Sequence, residues 1–164
     1  MLTAHLPSGY LIGRLAEKRW SGDHVLTAAL VGAVLPDLDM FYFHFVDLGR
    51  THHHMFVSHW PLAWLAVGAP VIALLHYMHA IAQRNIAIAL FGAVMLHLCL
   101  DSIAAPIFWL MPIMEGRVKL VSVPANYSHW IISYLLHWTF ALELAIWLAA
   151  ILAYMRARIS PTAP

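Results

Sequence analysis

Apolar residues fill four long stretches of this chain, and each stretch is long enough to cross a bilayer as a helix. A hydrocarbon core about 30 Å thick needs about 20 consecutive apolar residues in helical form. The polar segments between the stretches are too short to house a second domain. We therefore predict an all-α, integral membrane bundle of about four transmembrane helices that forms one domain over residues 1–164. The predicted transmembrane segments are about 24–46, 60–82, 85–114 and 130–155.

The opening stretch, residues 2–13, is apolar but too short to span a bilayer. We expect it to form a short N-terminal helix that is interfacial or re-entrant. Lys and Arg residues favour the cytoplasmic side of a membrane. If the chain crosses four times, six Lys and Arg residues lie on one side of the membrane and three on the other. The side with six carries the N-terminal basic loop and the C-terminus, which are therefore predicted to be cytoplasmic. The six are Arg14, Lys18, Arg19, Arg84, Arg156 and Arg158, and the three are Arg50, Arg117 and Lys119.

The composition supports a membrane protein and argues against a nucleic-acid-binding one. Hydrophobic residues make up 62% of the chain and charged residues 10%, with a mean hydropathy of +0.75. This leaves too little polar surface to cover a water-soluble globule. The net charge of +1 and the lack of a basic stripe give no indication of a nucleic-acid partner.

Acidic residues inside the apolar stretches need an explanation, because a charged side chain at the bilayer centre costs on the order of 2.5–3.5 kcal/mol on insertion scales. In the third stretch, His97 and Asp101 are four residues apart, a spacing that places both on one helix face. An imidazole and a carboxylate together suit Zn²⁺, with Mn²⁺ or Fe²⁺ as alternatives. The competing interpretation is a buried hydrogen bond between the two side chains.

The first stretch carries two carboxylates directly after a proline. Pro36 removes a backbone donor and disrupts the helix where Asp37 and Asp39 follow. If the chain is extended there, alternate residues turn to the same face and both acids can serve one site. The alternative is a helix end at the interface with two solvated acids.

Residues 51–59 contain four histidines, a composition typical of metal-binding loops but also of pH-responsive surfaces. This loop and the ends of the two acidic stretches fall on the same predicted side, so we expect them to converge. His5 could join them if the N-terminal helix dips into the membrane, and it is otherwise interfacial. The loop histidines are His52, His53, His54 and His59.

With these motifs the chain resembles the YdjM-like family of bacterial inner-membrane proteins, described as LexA-regulated, metal-dependent hydrolases. The family is thought to be distantly similar to zinc-dependent phospholipase C, which implies cleavage of a phosphoester. The resemblance covers roughly residues 1–112. It rests on His5, the Gly-x-x-Leu-Pro-Asp-x-Asp block 32–39, the His-x4-His pair His54 and His59 with Ser58 before it, and the His-x3-Asp block His97 and Asp101.

One feature departs from the phospholipase pattern. Those enzymes complete a multinuclear site with a His-x3-Glu pair, whereas here His137 is followed by Ala141 and the acid is Glu143. The sequence therefore leaves open whether a second metal ion binds, and it leaves the roles of His129, His137 and Glu143 open. The extra histidines of the loop also leave open which of His52, His53, His54 and His59 are ligands.

The sequence thus leads to a hypothesis of a metal-dependent hydrolase acting on a membrane lipid phosphoester. One divalent cation, zinc in the first instance, is expected to be held by four residues, with His5 as a further ligand or supporting group. Asp37 or His54 would accept the proton of the attacking water. The four expected ligands are Asp39, His59, His97 and Asp101.

Two other functions fit the same residues. A non-enzymatic membrane protein could bind or transport the metal with these ligands. A bis-histidine haem protein could use His97 and His137, although Asp101 would then have no role.

Overall fold

The computed structural model describes residues 1, 3–20 and 24–159, and this part of the chain is helical without a β-strand. Short 3₁₀ turns at Pro36–Leu38, His53–Met55 and Val57–His59 join the first helices. A single antiparallel bridge joins Ile107 and Val118. The helices are α1 (His5–Arg19), α2 (Val25–Val34), α3 (Asp39–Phe45), α4 (Pro61–Tyr77), α5 (Ile81–Ala104), α6 (Trp130–Leu135) and α7 (Trp138–Ile159).

The number of membrane crossings is smaller than predicted. Within the described residues, α5 and α7 are long and apolar enough to cross a bilayer. A third crossing is added if α2 and α3, which are bent by 48° at Pro36, form one span. The prediction of four transmembrane helices was therefore wrong, because α4 has only 17 residues.

Two of the predicted segments are shorter in the structure. Local features of the backbone, which cannot be read from the apolar pattern, end their helices early. The chain leaves α4 at Tyr77, and His79 then adopts a left-handed conformation with a φ of 55°. In the next segment, α5 ends at Ala104 and Ala105 is extended. Pro106 follows Ala105, and the residue before a proline is disfavoured in a helix.

The N-terminal helix is a full member of the bundle. It extends to Arg19 and packs against α2, α5 and α7. Glycines permit the closest approaches: a Cβ at Gly9 would overlap Ala33 of α2, and one at Gly32 would overlap the Leu90 carbonyl of α5. Small residues at helix contacts are typical of membrane bundles, because they let backbones approach closely.

Polar residues near the C-terminal helix stabilise the fold. Glu143 of α7 is fully buried and accepts hydrogen bonds from the backbone N and Oγ1 of Thr3, at 2.5 and 2.8 Å, and from the Tyr134 hydroxyl. His129 accepts a hydrogen bond from the Ile131 N–H at the start of α6. Glu143 therefore links α7 both to the N-terminal segment and to α6.

Candidate metal site

Three elements bring the predicted site residues together. The spacing of four places His97 and Asp101 on the face of α5 that packs against α2. The 3₁₀ turn after α2 supplies Asp37, and the 3₁₀ turn before α4 supplies His59. The predicted convergence of segments distant in the sequence is thus present in the fold.

Four ligand atoms from these residues lie within 4.8 Å of one another. His97 Nε2 is 3.2 Å from Asp101 Oδ2 and 3.5 Å from Asp37 Oδ1. His59 Nε2 is 3.6 Å from Asp37 Oδ1 and 3.8 Å from Asp101 Oδ2. Tetrahedral ligands at zinc-like bond lengths of about 2.0–2.1 Å are separated by about 3.3 Å, so the four atoms need only small shifts to hold one ion.

The hydrogen bonding of these atoms also fits a cation. His59 Nε2, His97 Nε2 and Asp101 Oδ2 are buried and have no hydrogen-bond partner among the described residues. A buried polar atom left unsatisfied costs about 1–3 kcal/mol. The other oxygen of Asp101 is engaged by His5 Nε2 at 3.1 Å and by the Met1 amino group. Three buried atoms therefore remain available at one point, which a metal ion would satisfy.

The far side of each imidazole is held by an oxygen. His97 Nδ1 lies 2.7 Å from the Ala33 carbonyl oxygen. His59 Nδ1 lies 2.9 Å from Asp39 Oδ2, which also accepts a hydrogen bond of 2.6 Å from Ser58 Oγ. Metal-binding histidines commonly donate their second N–H to a carbonyl or carboxylate in this way. Both rings are thus oriented with Nε2 toward the shared point.

The family of this chain follows from comparison with known proteins. The family model described as YdjM inner membrane protein matches residues 1–162. The chain belongs to the YdjM inner membrane protein family. No curated protein and no solved structure matches it. Membership confirms the family resemblance and the membrane assignment, whereas LexA regulation and similarity to phospholipase C stay predictions.

The two aspartates of this YdjM-family protein flank opposite sides of one ring. Asp37 Oδ1 faces His59 Nε2, and Asp39 Oδ2 faces Nδ1 of the same imidazole. The structure therefore brings Asp37, expected to accept a proton, into the four-atom group. Asp39, expected to be a ligand, lies behind His59. The chain after Pro36 is not the extended stretch that would turn both acids to one face, since a 3₁₀ turn carries it directly into α3.

His5 and His54 lie at the edge of the group. The His5 ring stacks on His97 with centroids 3.7 Å apart, and its Nε2 contacts Asp101. His54 Nε2 is 3.7 Å from Asp101 Oδ2, so this imidazole adjoins the four-atom group. His5 therefore supports two of the candidate ligands, and His54 is close enough to hydrogen-bond a molecule bound there.

The loop histidines differ in their electrostatic surroundings. Burial lowers the pKa of His54 to about 2, so its imidazole is neutral at neutral pH. Burial also acts to lower the pKa of His59, but the carboxylates of Asp37 and Asp39 outweigh it and raise that pKa above its usual value. The same two carboxylates would attract a metal cation.

The group opens toward the surface at one residue. The side chains of His59 and His97 are fully buried and that of Asp101 is 2% exposed, whereas that of Asp37 is 39% exposed. Asp37 is therefore the ligand candidate nearest to an approaching molecule.

The sequence did not reveal the supporting role of the Ala33 carbonyl, because any residue type supplies a carbonyl at that position.

Proposed function

We propose that this YdjM-family protein is a membrane-bound, metal-dependent hydrolase that acts on a lipid phosphoester. The observation that carries the proposal is the convergence of three buried, unpartnered ligand atoms of the described chain with the carboxylate of Asp37. Two imidazole nitrogens and two carboxylate oxygens suit Zn²⁺, and they also accommodate Mn²⁺ or Fe²⁺. The residues that hold the metal are Asp37, His59, His97 and Asp101.

A divalent metal held there supplies Lewis acidity and, by lowering the pKa of water to about 7, hydroxide at neutral pH. The chain contributes orientation and hydrogen bonding. Asp39 and the Ala33 carbonyl hold the two rings, and the neutral imidazole of His54 lies beside Asp101, where it can hydrogen-bond a bound molecule. Burial of His59 and His97 limits the access of bulk water to the other side of the group.

The surroundings of the opening favour a lipid substrate. Asp37 lies two residues before the start of α3, whose aromatic side chains Phe41, Tyr42 and Phe45 are 66%, 52% and 77% exposed. Tyrosine favours the interface between lipid and water, and exposed phenylalanine side chains suit the adjoining apolar layer. A phosphoester in a lipid headgroup would be at this depth, next to the exposed carboxylate of Asp37.

The geometry argues against haem ligation by His97. Carboxylate oxygens lie 3.2 and 3.5 Å from His97 Nε2, in the space that a porphyrin bound to this nitrogen would need. The other nitrogen is bonded to the Ala33 carbonyl. The second proposed ligand, His137, has its Nδ1 2.9 Å from Thr139 Oγ1.

Elemental analysis followed by an activity assay tests the proposal. Protein purified without a histidine tag and reconstituted in lipid nanodiscs should bind Zn²⁺, Mn²⁺ or Fe²⁺ tightly and release phosphorylated headgroups from phospholipid. The H97A and D101A variants should each bind one ion fewer per chain than the wild type and should release no headgroups. The matched control is H76A, because His76 lies roughly 22 Å along α4 from the end next to His59.

The outcomes separate the two halves of the proposal. If H97A and D101A lose one ion but the wild type turns over no phospholipid or phosphodiester, the protein is a non-enzymatic metal-binding or metal-transport protein. Unchanged metal content in both variants would contradict the proposed metal site itself.

A further inference from the structure

A second cluster of imidazoles lies next to the buried group. His52, His53 and His54 each offer one ligand atom, and these atoms lie within 4.8 Å of one another. The 3₁₀ turn His53–Met55 brings consecutive rings together, so that the centroids of His53 and His54 are 3.8 Å apart. The centroids of His52 and His54 are 5.0 Å apart. Three imidazoles are thus gathered by a stretch of only three residues.

The cluster runs from the surface into the protein. His52 is exposed, His53 is partly buried and His54 is 8% exposed. His54 Nδ1 is buried and makes no hydrogen bond within the described part of the chain. The other nitrogen of this ring lies 3.7 Å from Asp101 Oδ2. One imidazole therefore has a desolvated nitrogen that is not needed for the fold and that a bound cation would satisfy.

We propose that His52, His53 and His54 form a second metal site, distinct from the four-residue group and open to solvent. Three imidazole nitrogens suit borderline transition-metal ions such as Zn²⁺, Ni²⁺ or Cu²⁺. They do not suit Mg²⁺ or Ca²⁺, which take oxygen ligands. The site captures an ion at the surface and holds it at the edge of the buried group, since His54 adjoins Asp101.

The two sites have separate ligands, which makes them separable by mutation. Neither His52 nor His53 belongs to the four-residue group, and His97 does not belong to the cluster. The second site therefore does not rest on the proposed hydrolase activity. Substitution of His52 and His53 also carries little risk for folding, because neither side chain is buried.

The test is a titration of Zn²⁺ into tag-free protein in nanodiscs. Isothermal titration calorimetry and equilibrium dialysis measure the number of ions bound per chain. The wild type should bind two ions per chain. The H52A/H53A variant should bind one, and H97A should also bind one. The matched control H76A/H79A, which removes two histidines outside both groups, should still bind two. A large excess of Mg²⁺ should displace neither ion.

The proposal of a second site would be overturned if H52A/H53A retained two ions. It would also be overturned if the wild type bound one ion and H52A/H53A kept it. Two ions retained in H97A would instead contradict the four-residue site and leave the cluster in place. Circular dichroism should show unchanged helix content in all variants. If H52A/H53A does not fold, H52Q/H53Q preserves side-chain polarity and should likewise lose one ion.

Discussion

Each nitrogen of the His59 ring faces an aspartate, and the two aspartates differ in what they do there. Asp37 faces the nitrogen that points to the four-atom group, and Asp39 hydrogen-bonds the opposite one. The Ser58 hydroxyl further orients Asp39. At the scale of single residues, one carboxylate is therefore a candidate ligand, and the other is a candidate positioning group behind His59.

This difference predicts unequal effects of two similar substitutions. D39N should weaken metal binding by about 10–100-fold, because loss of a supporting hydrogen bond typically has that effect on a metal site. D37N should weaken binding more, because it removes the charge of a ligand. Competition titration with a chelating dye measures both affinities, with E17Q as control, since Glu17 pairs with Arg14 on α1. Stronger binding in D37N than in D39N would reverse the assignment.

At the scale of helices, the site depends on how closely α2 approaches α5. His97 of α5 is hydrogen-bonded to the carbonyl of Ala33 in α2, one residue after Gly32. A side chain at Gly32 would collide with the Leu90 carbonyl, so only glycine permits this approach. The packing of two helices thus sets the orientation of one candidate ligand.

A G32A substitution should therefore affect both stability and metal binding. Forcing a methyl group into a packed contact costs about 1–3 kcal/mol, and it should also separate the Ala33 carbonyl from His97. The control is G92A: a Cβ there would only meet Ile12 at 4.0 Å, and alanine favours helices over glycine by about 1 kcal/mol. Thermal unfolding and metal titration of both variants measure the effects. Equal melting temperatures would show that the α2–α5 contact tolerates a side chain.

At the scale of the whole molecule, the candidate site joins parts of the chain that no single helix connects. Its four residues come from the turn after α2, the loop before α4 and the C-terminal part of α5. A metal bound there would hold these parts together. The orientation predicted from Lys and Arg assumed four crossings, so it stays a prediction.

Metal removal should accordingly destabilise the protein. A ligand at a concentration of about 100 times its Kd stabilises the folded state by about 2.7 kcal/mol. Chelation should therefore lower the melting temperature of the wild type, and added Zn²⁺ should restore it. The combined H52A/H53A/H97A variant, which lacks ligands of both proposed sites, should melt at the same temperature with or without chelator. If chelator left the melting temperature of the wild type unchanged, this result would contradict tight metal binding.

Much of this architecture is encoded locally and could be predicted. The apolar stretches predict membrane helices, Pro36 predicts the break after α2, and the spacing of His97 and Asp101 places both on one face. The family resemblance was confirmed over residues 1–162. These features depend on helical periodicity and side-chain chemistry, which neighbouring residues determine.

The tertiary structure alone decided the number of spans and the positions of the two aspartates. Apolarity does not show where α4 ends, because His79 breaks the helix through its backbone conformation. Asp37 and Asp39 are chemically identical, and only the 3₁₀ turn and the position of His59 distinguish them. The distance between a carboxylate and an imidazole about 20 residues away depends on how helices pack, which no short stretch of sequence contains.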